Sequence, residues 1–269
     1  MRLNPAAKIT HKERWGDYVL LTLESPDIAR VAAPGQFLMV KTAPGPRPLL
    51  RRPLSIHDRG DGSLDIFFKV AGEGTALLAQ KTPAETLDIL GPLGKGFDLE
   101  LGAREAKKTA APAVAVGGGR GIAPLVFLAA EMKKAGRPLK LLYGGRTLGD
   151  IPLKDRLAAA GYAPACSTDD GSFGFRGLVT DLLKSAIAEA PASAVYACGP
   201  EPMLEAAARV AAEAGLPSEL SLEARMGCGF GACWGCVHRL RTNGRESWVK
   251  VCEEGPVVSG GDVVWGEGA

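Results

Sequence analysis

The sequence predicts a multidomain chain: an antiparallel β-barrel, then an α/β domain on a doubly wound parallel sheet, then a small β-rich C-terminal module. Three observations carry this. Short apolar, β-branched runs punctuated by Gly and Pro turns recur at roughly ten-residue spacing through the first hundred residues. From Ala113 onward, strand-like runs alternate with helical stretches. Near the end, four of the six cysteines gather in one glycine-rich stretch and its sequel. The corresponding division is 1–103, 104–216 and 217–269.

A chain of 269 residues is long enough for two domains and a small module. Its 46% hydrophobic and 23% charged residues suit a globular protein rather than a disordered one. A net charge of +2 supplies no bulk field to recruit nucleic acid or an anionic membrane, so neither partner is expected. Residues 1–8 lack the apolar core of a signal peptide, and no apolar run approaches the ~18–20 residues of a spanning helix. A reducing, cytoplasmic location is the resulting expectation.

In the first hundred residues, strands are expected at 18–23, 36–40, 63–70 and 87–90, with one short helix at 75–80. Two spots offer chemistry. In Arg51-Arg52-Pro53-Leu54-Ser55-Ile56, a guanidinium beside a strand can pair a phosphate and a serine hydroxyl can bond a polar ring edge. Gly72-Glu73-Gly74-Thr75 opens the short helix, and a glycine-rich turn at a helix N-terminus suits an anion. Each is also compatible with an ordinary surface Arg-Pro pair or an empty turn.

A charged linker at 102–109 precedes the alternating region. Strands are expected at 113–116, 139–143, 163–167 and 194–198, and helices at 125–134, 153–160, 178–190 and 202–214. Ligands of such sheets bind at the carboxyl ends of the strands. Four turns fall there: 117–121, Gly144-Gly145-Arg146, Thr168-Asp169-Asp170-Gly171 and Gly199-Pro200-Glu201-Pro202. The first does not fit G-x-G-x-x-G/A, so the strict dinucleotide fingerprint is absent and a plain strand-to-helix turn remains an alternative. Asp169 and Asp170 stand where a ribose 2′-phosphate would be repelled, which favours NAD over NADP, although Arg176 lies close in sequence.

Cys228, Cys233, Cys236 and Cys252 follow a C-x4-C-x2-C spacing with a fourth cysteine after fifteen intervening residues. This is the plant-type spacing of a [2Fe–2S] cluster. Gly227, Gly229, Gly231 and Gly235 are interleaved with the thiols, as a loop aiming backbone N–H groups at sulfur needs. A structural zinc would normally show a second C-x2-C knuckle, and disulfides an oxidising compartment; both remain alternatives. His238 is the one nearby residue that could serve as a Rieske-type ligand. Beyond the loop, 237–240 and 248–251 read as strands turned by Asn243-Gly244.

Taken together, R-P-L-S, G-E-G-T, G-G-G-R-G-I-A-P, Y-G-G-R and C-G-P-E-P-M, in this order, resemble the ferredoxin reductase-like flavoproteins. The resemblance implies one FAD per chain, with Arg52, Pro53, Leu54 and Ser55 holding the flavin, Phe67, Phe68 and Lys69 lining it, and Gly74 and Thr75 cradling its pyrophosphate. Where that family commonly has tyrosine, this chain has Leu54, which removes an aromatic contact. It also implies NAD as co-substrate, with Gly118, Gly119 and Gly121 facing the pyrophosphate, Arg146 and Asp170 nearby, and Cys198, Gly199 and Pro200 near the nicotinamide.

With S-L-E-A-R-M-G-C-G-F-G-A-C-W-G-C and V-C-E-E-G-P-V added, nearly the whole chain resembles the electron transfer subunits of NAD-dependent (type 1B) dihydroorotate dehydrogenases. That resemblance implies one [2Fe–2S] cluster per chain and an FMN-containing dihydroorotate dehydrogenase catalytic subunit as partner, in a heterotetramer of two copies of each. Electrons would run from the partner's FMN through the cluster and FAD to NAD. No acid–base pair for C–H abstraction is evident, so no catalytic residue is assigned. Phe230 and Trp234, apolar and beside the thiols, are expected either at the partner contact or in the module's own packing. Two other readings stay open: a flavin and iron–sulfur NAD(P)H reductase subunit of another complex, of ferredoxin-NADP or sulfur/hydrogenase type, and a zinc-stabilised nucleotide-binding module.

Overall fold

The computed structural model describes residues 1–103 and 111–266. Of the expected linker, 104–109 lie outside the described residues.

Six antiparallel strands close a barrel in the order β1-β2-β5-β4-β3-β6. They are β1 (Arg2–Trp15), β2 (Tyr18–Glu24), β3 (Phe37–Lys41), β4 (Arg52–Arg59), β5 (Ser63–Lys69) and β6 (Thr86–Leu93). The first is missing from the sequence-based expectation. It carries few apolar residues and a proline, and only Ala7 and Ile9 turn into the core. It is nevertheless the closing strand: 2–8 pair with β6 and 8–15 with β2. Pro5 sits at the register irregularity between Asn4 and Ala7, where the ladder needs no donor. Val19, Leu21, Leu38, Ile56, Ile66 and Phe68 fill the barrel. The short α1 (Pro26–Ala29) packs on β5, and Leu78 of α2 (Glu73–Gln80) adds to the core.

The second sheet has seven strands in the order β10-β9-β8-β7-β11-β12-β15. β7 (Ala113–Gly118), β8 (Leu139–Gly145), β9 (Ala165–Thr168), β10 (Phe175–Arg176), β11 (Val195–Cys198) and β12 (Ser218–Ser221) are parallel. Their runs are buried throughout the centre of the sheet, as a sheet covered on both faces requires. The covering helices are α3 (Ile122–Lys134), α4 (Lys154–Ala159), α5 (Val179–Glu189) and α6 (Glu201–Glu213). Strand order reverses between β7 and β11, which opens a crevice beyond their carboxyl ends.

The C-terminal part is woven into this sheet. β12 pairs with β11, and β15 (Val257–Ser259) returns antiparallel beside β12, so residues on both sides of position 217 share one sheet. Between them lie the cysteine loop, the hairpin β13 (Val237–Thr242) and β14 (Arg245–Lys250), and the short α7 (Val251–Glu254). Asn243 and Gly244 both take positive φ, +53° and +75°, the two-residue turn that matches strand twist. Cys236, Cys252, Leu240 and Val249 share one core with Leu220 of the sheet and Phe37 and Met39 of the barrel. Among the described residues no helix is long and apolar enough to cross a membrane.

Candidate functional site

Two cavities and one cysteine loop lie along a line where barrel, sheet and C-terminal segment meet. The first cavity, about 530 Å³, is bounded by Arg52, Pro53, Leu54 and Ser55 of β4 and by Phe67 and Phe68 of β5. Strand alternation separates the two phenylalanines: Phe68 belongs to the barrel core, whereas Phe67 stacks on Tyr18 at 5.5 Å and packs with the sheet domain. Arg51, part of the expected phosphate-pairing stretch but not of the flavin-holding set, also lines the cavity and is fixed by a 2.8 Å ion pair to Asp88. The opposite wall comes from Gly121, Ala123 and Cys198, and from the run 221–226 that leaves β12.

Gly74 and Thr75 fall outside the cavity lining, with Gly74 against Arg52 of β4. A Cβ on Gly74 would lie 2.5 Å from Arg52 Nε, so only glycine lets the guanidinium lie against the helix start. The Thr75 hydroxyl accepts the backbone N–H groups of Ala71 and Gly72, at 2.9 and 3.1 Å, and thereby fixes the turn. Lys69 points elsewhere: it lines the second cavity.

That second cavity, about 580 Å³, takes its lining from all four turns at the sheet edge: Gly118, Gly119, Gly144, Gly145, Arg146, Asp169, Pro200 and Pro202. Gly121 and Cys198, expected at the nucleotide, face the first cavity instead, and Gly199 borders neither. Asp169 lines the site. Asp170 turns away to accept the Ser172 hydroxyl at 2.7 Å and its N–H at 2.9 Å. Burial pushes the Cys198 thiol up to about 12, so it is a neutral wall rather than a nucleophile.

Barrel and sheet are joined at the mouth of this second cavity. Lys69 Nζ lies 2.8 Å from Asp150 Oδ1, and the Tyr18 hydroxyl donates to the same oxygen at 3.0 Å. Burial opposes ionisation of Asp150, yet these two hydrogen bonds prevail and hold its carboxyl below the usual range. The Lys69 ammonium also lies 4.9 Å from the Tyr18 ring centroid. Tyr18 and Asp150 carry no sequence signal, because they meet only when the two domains pack.

The cysteine loop begins where the first cavity ends. Met226 lines the cavity, and a Cβ on the next residue, Gly227, would lie 3.3 Å from Cys233 Sγ. Cys228 and Cys233 form an outer pair in hydrogen-bond contact; Cys236 and Cys252 form a buried inner pair. Among the described residues no three His, Cys, Asp or Glu groups converge as ligands of one metal ion. Two thiol pairs suit a two-iron cluster better than a lone tetrahedral zinc. His238 does not join them: its Nδ1 lies 3.1 Å from the Arg239 carbonyl oxygen, on β13.

Backbone N–H groups point at these sulfurs. Gly231 donates to Cys252 Sγ at 3.1 Å, and Cys252 donates to Cys236 Sγ at 3.4 Å. Burial pushes the Cys228 thiol up, but the N–H groups of Phe230, Cys233 and Ala232 and the Cys233 thiol bring it to about 7. The donor set is therefore four sulfurs in two pairs with N–H support, which fits [2Fe–2S]. Gly229 and Gly231 take positive φ, +82° and +86°, and a Cβ on Gly229 would lie 2.4 Å from Met39 Cγ. Trp234 holds φ +57°, a strained value for an aromatic residue, under the Lys250 ammonium at 4.9 Å. Phe230, Trp234 and Trp248 are all exposed.

Residues 223–264 match the family described as the iron-sulfur cluster binding domain of dihydroorotate dehydrogenase B, and 115–209 match the oxidoreductase NAD-binding domain. The chain is 40% identical over 247 residues to the dihydroorotate dehydrogenase B (NAD(+)) electron transfer subunit of Desulforamulus reducens, covering 91% of this chain and 92% of that one. It is 43% identical over 246 residues to the subunit of the same name from Geobacillus kaustophilus, covering 91% of each. Among solved structures it is similar to a chain of an NADH-dependent reduced ferredoxin-NADP oxidoreductase, with TM-score 0.82, 28% identity, and 97% and 91% of the two chains covered. The ferredoxin reductase of carbazole 1,9a-dioxygenase, at 21% identity and TM-score 0.65, shares the fold over 80% of this chain and 67% of that one. This chain therefore belongs to the family of dihydroorotate dehydrogenase B (NAD(+)) electron transfer subunits, oxidoreductase components that act with a dihydroorotate dehydrogenase catalytic partner.

Proposed function

We propose that the chain carries electrons between an FMN on its catalytic partner and NAD, using its own [2Fe–2S] cluster and FAD, in a cytoplasmic heterotetramer of two copies of each chain. Residues 1–103 serve chiefly the flavin, 104–216 the nicotinamide nucleotide and 217–269 the cluster, although Lys69 reaches the nucleotide cavity and 221–226 wall the flavin cavity. The run 221–226 carries this reading: it walls the first cavity and continues without a break into the cysteine loop. A group in the cavity and a cluster on the thiols would thus be separated by little more than Met226 and Gly227.

A bound flavin exchanges electron pairs with a nicotinamide and single electrons with a cluster, which is the conversion this order of sites demands. In the first cavity Arg52 pairs the FAD phosphates while Ser55 and the β5 backbone hold the ring; Gly74 admits the guanidinium and Thr75 keeps its turn rigid. In the second, the glycine turns let backbone approach the NAD pyrophosphate, and Lys69 and Arg146 supply positive charge. Asp169, rather than Asp170, disfavours a 2′-phosphate. Cys228, Cys233, Cys236 and Cys252 hold the cluster. Exposed Phe230 and Trp234 then meet the partner, since aromatics are enriched in interface cores.

Co-expression with the FMN-containing catalytic subunit tests this. A stable complex that reduces NAD⁺ with dihydroorotate is expected, while the catalytic subunit alone fails with NAD⁺. The 28% identity to the ferredoxin-NADP oxidoreductase chain favours a second reading, a reductase subunit of another complex. Failure of the two chains to associate would favour that reading.

A further inference from the structure

Arg120 and Glu223 are the two residues that line both cavities. The Arg120 guanidinium donates to Glu223 Oε2 at 2.8 Å, across 103 positions of sequence, and both side chains are half exposed. Their backbones are fixed differently from their side chains. Arg120 sits in the tight turn Gly119–Gly121, where a Cβ on Gly121 would lie 2.2 Å from the Cys198 carbonyl oxygen. That turn cannot drift from β11. Glu223 follows directly on Leu222, whose N–H donates to the Pro256 carbonyl at 2.9 Å. What is left free to move is the pair of side chains, joined by a salt bridge across the boundary between the cavities.

A nicotinamide in the second cavity and a flavin in the first must come within about 3–3.5 Å to react, a separation that leaves no room for intervening side chains. We propose that the Arg120–Glu223 ion pair is a gate between the two cavities, closed without dinucleotide and opened when one binds. The gate rests on the assignment of FAD and NAD to these cavities made above. A half-exposed ion pair is weak, so opening it costs little. The trigger is chemical competition. A dinucleotide brings two phosphate charges to the cavity that Arg120 lines, and they compete with Glu223 for its guanidinium. The ligand thereby interacts differently with the two states, as any ligand-driven change requires. Closed, the pair keeps the flavin side apart from the nucleotide side.

The test uses the full chain loaded with FAD and cluster, in the oxidised state, mixed rapidly with NAD⁺, so that no turnover is involved. The readout is the rate at which flavin absorption shifts as the nicotinamide reaches it. Glu223→Gln should raise that rate by about 2–5-fold, the weight of one half-exposed ion pair, whereas Arg120→Met, which loses the phosphate partner together with the gate, should gain less. The double variant should be no faster than Glu223→Gln alone, because the ion pair is already broken there. Flavin and iron content per chain confirm folding, and the nearly isosteric Glu223→Gln carries the test if Arg120→Met does not accumulate. A rate that is unchanged or slower in Glu223→Gln, or effects that multiply in the double variant, overturns the gate while leaving the cofactor assignment intact. Wild-type protein that holds no flavin overturns that assignment, and the gate with it.

Discussion

The two cavities are of similar size, about 530 and 580 Å³, but they are assembled in opposite ways. The first draws one wall from a contiguous strand motif, Arg52 to Ser55, and the other from a segment that ends in the cysteine loop. The second is a set of separate turns at the edge of a sheet, closed on one side by Tyr18 and Lys69 of the barrel. On the proposed reading the first holds a resident flavin and passes electrons onward, and the second takes a nucleotide that comes and goes. Substitutions should therefore sort by cavity, and that sorting can be broken by experiment.

The largest effect is expected where both cavities depend on one atom. Gly121→Ala places a methyl group 2.2 Å from the Cys198 carbonyl oxygen, in rigid backbone. It should cost about 1–3 kcal/mol of stability or more and impair both sites together. Thermal unfolding with flavin content and NAD⁺ affinity measured alongside checks it; loss at one site alone contradicts the shared pivot. Arg52→Ala should next weaken FAD by about 1.5–3 kcal/mol, read as flavin lost on gel filtration, while NAD⁺ binding persists. Lys69→Met should do the reverse. Flavin content stays, and NADH affinity falls by about 1 kcal/mol, because the cation nearest Asp150 is gone and that carboxylate is left facing the nucleotide. Flavin loss in Lys69→Met would return this residue to the first cavity. Asp169→Asn should narrow the preference for NADH over NADPH by about 1 kcal/mol, and Asp170→Asn by less, as measured from kcat/KM for each nucleotide.

What sequence revealed follows the same division. The Arg52–Ser55 motif and the C-x4-C-x2-C run were legible because each is local in the chain, with Cys252 added by its spacing. Tyr18, Asp150, Arg120 and Glu223 were not, because nothing but domain packing brings residue 18 to 150 or 120 to 223. β1 escaped because a strand half exposed along its length lacks the apolar run that marks a buried one. The division at 217 could not register that β12 and β15 complete the nucleotide sheet from either side of the cysteine loop. Lys69 follows Phe67 and Phe68 in one strand, yet the end of that strand belongs to the other cavity.

A smaller effect probes the tie between barrel exit and β12. Burial pushes the Glu219 carboxyl up to about 7, against the hydrogen bond donated by the Asp98 N–H at 2.8 Å. Folding thus favours the neutral acid. Its contribution is full below the ordinary carboxylate range and lost as pH rises through about 7. Glu219→Gln cannot ionise, so it should exceed the wild type by about 1 kcal/mol at pH 8 and match it near pH 4. Denaturant unfolding at the two pH values decides this; a difference that grows toward low pH has the wrong sign.

In the proposed function the run 221–226 couples the first cavity to the cysteine loop. Anaerobic NADH titration of the fully loaded chain, followed by electron paramagnetic resonance, tests it most directly. A reduced [2Fe–2S] signal is expected to grow with added NADH in loaded protein and to be absent in Arg52→Ala protein stripped of flavin. A cluster that NADH reduces equally well without flavin, or never reduces when flavin is present, would contradict it.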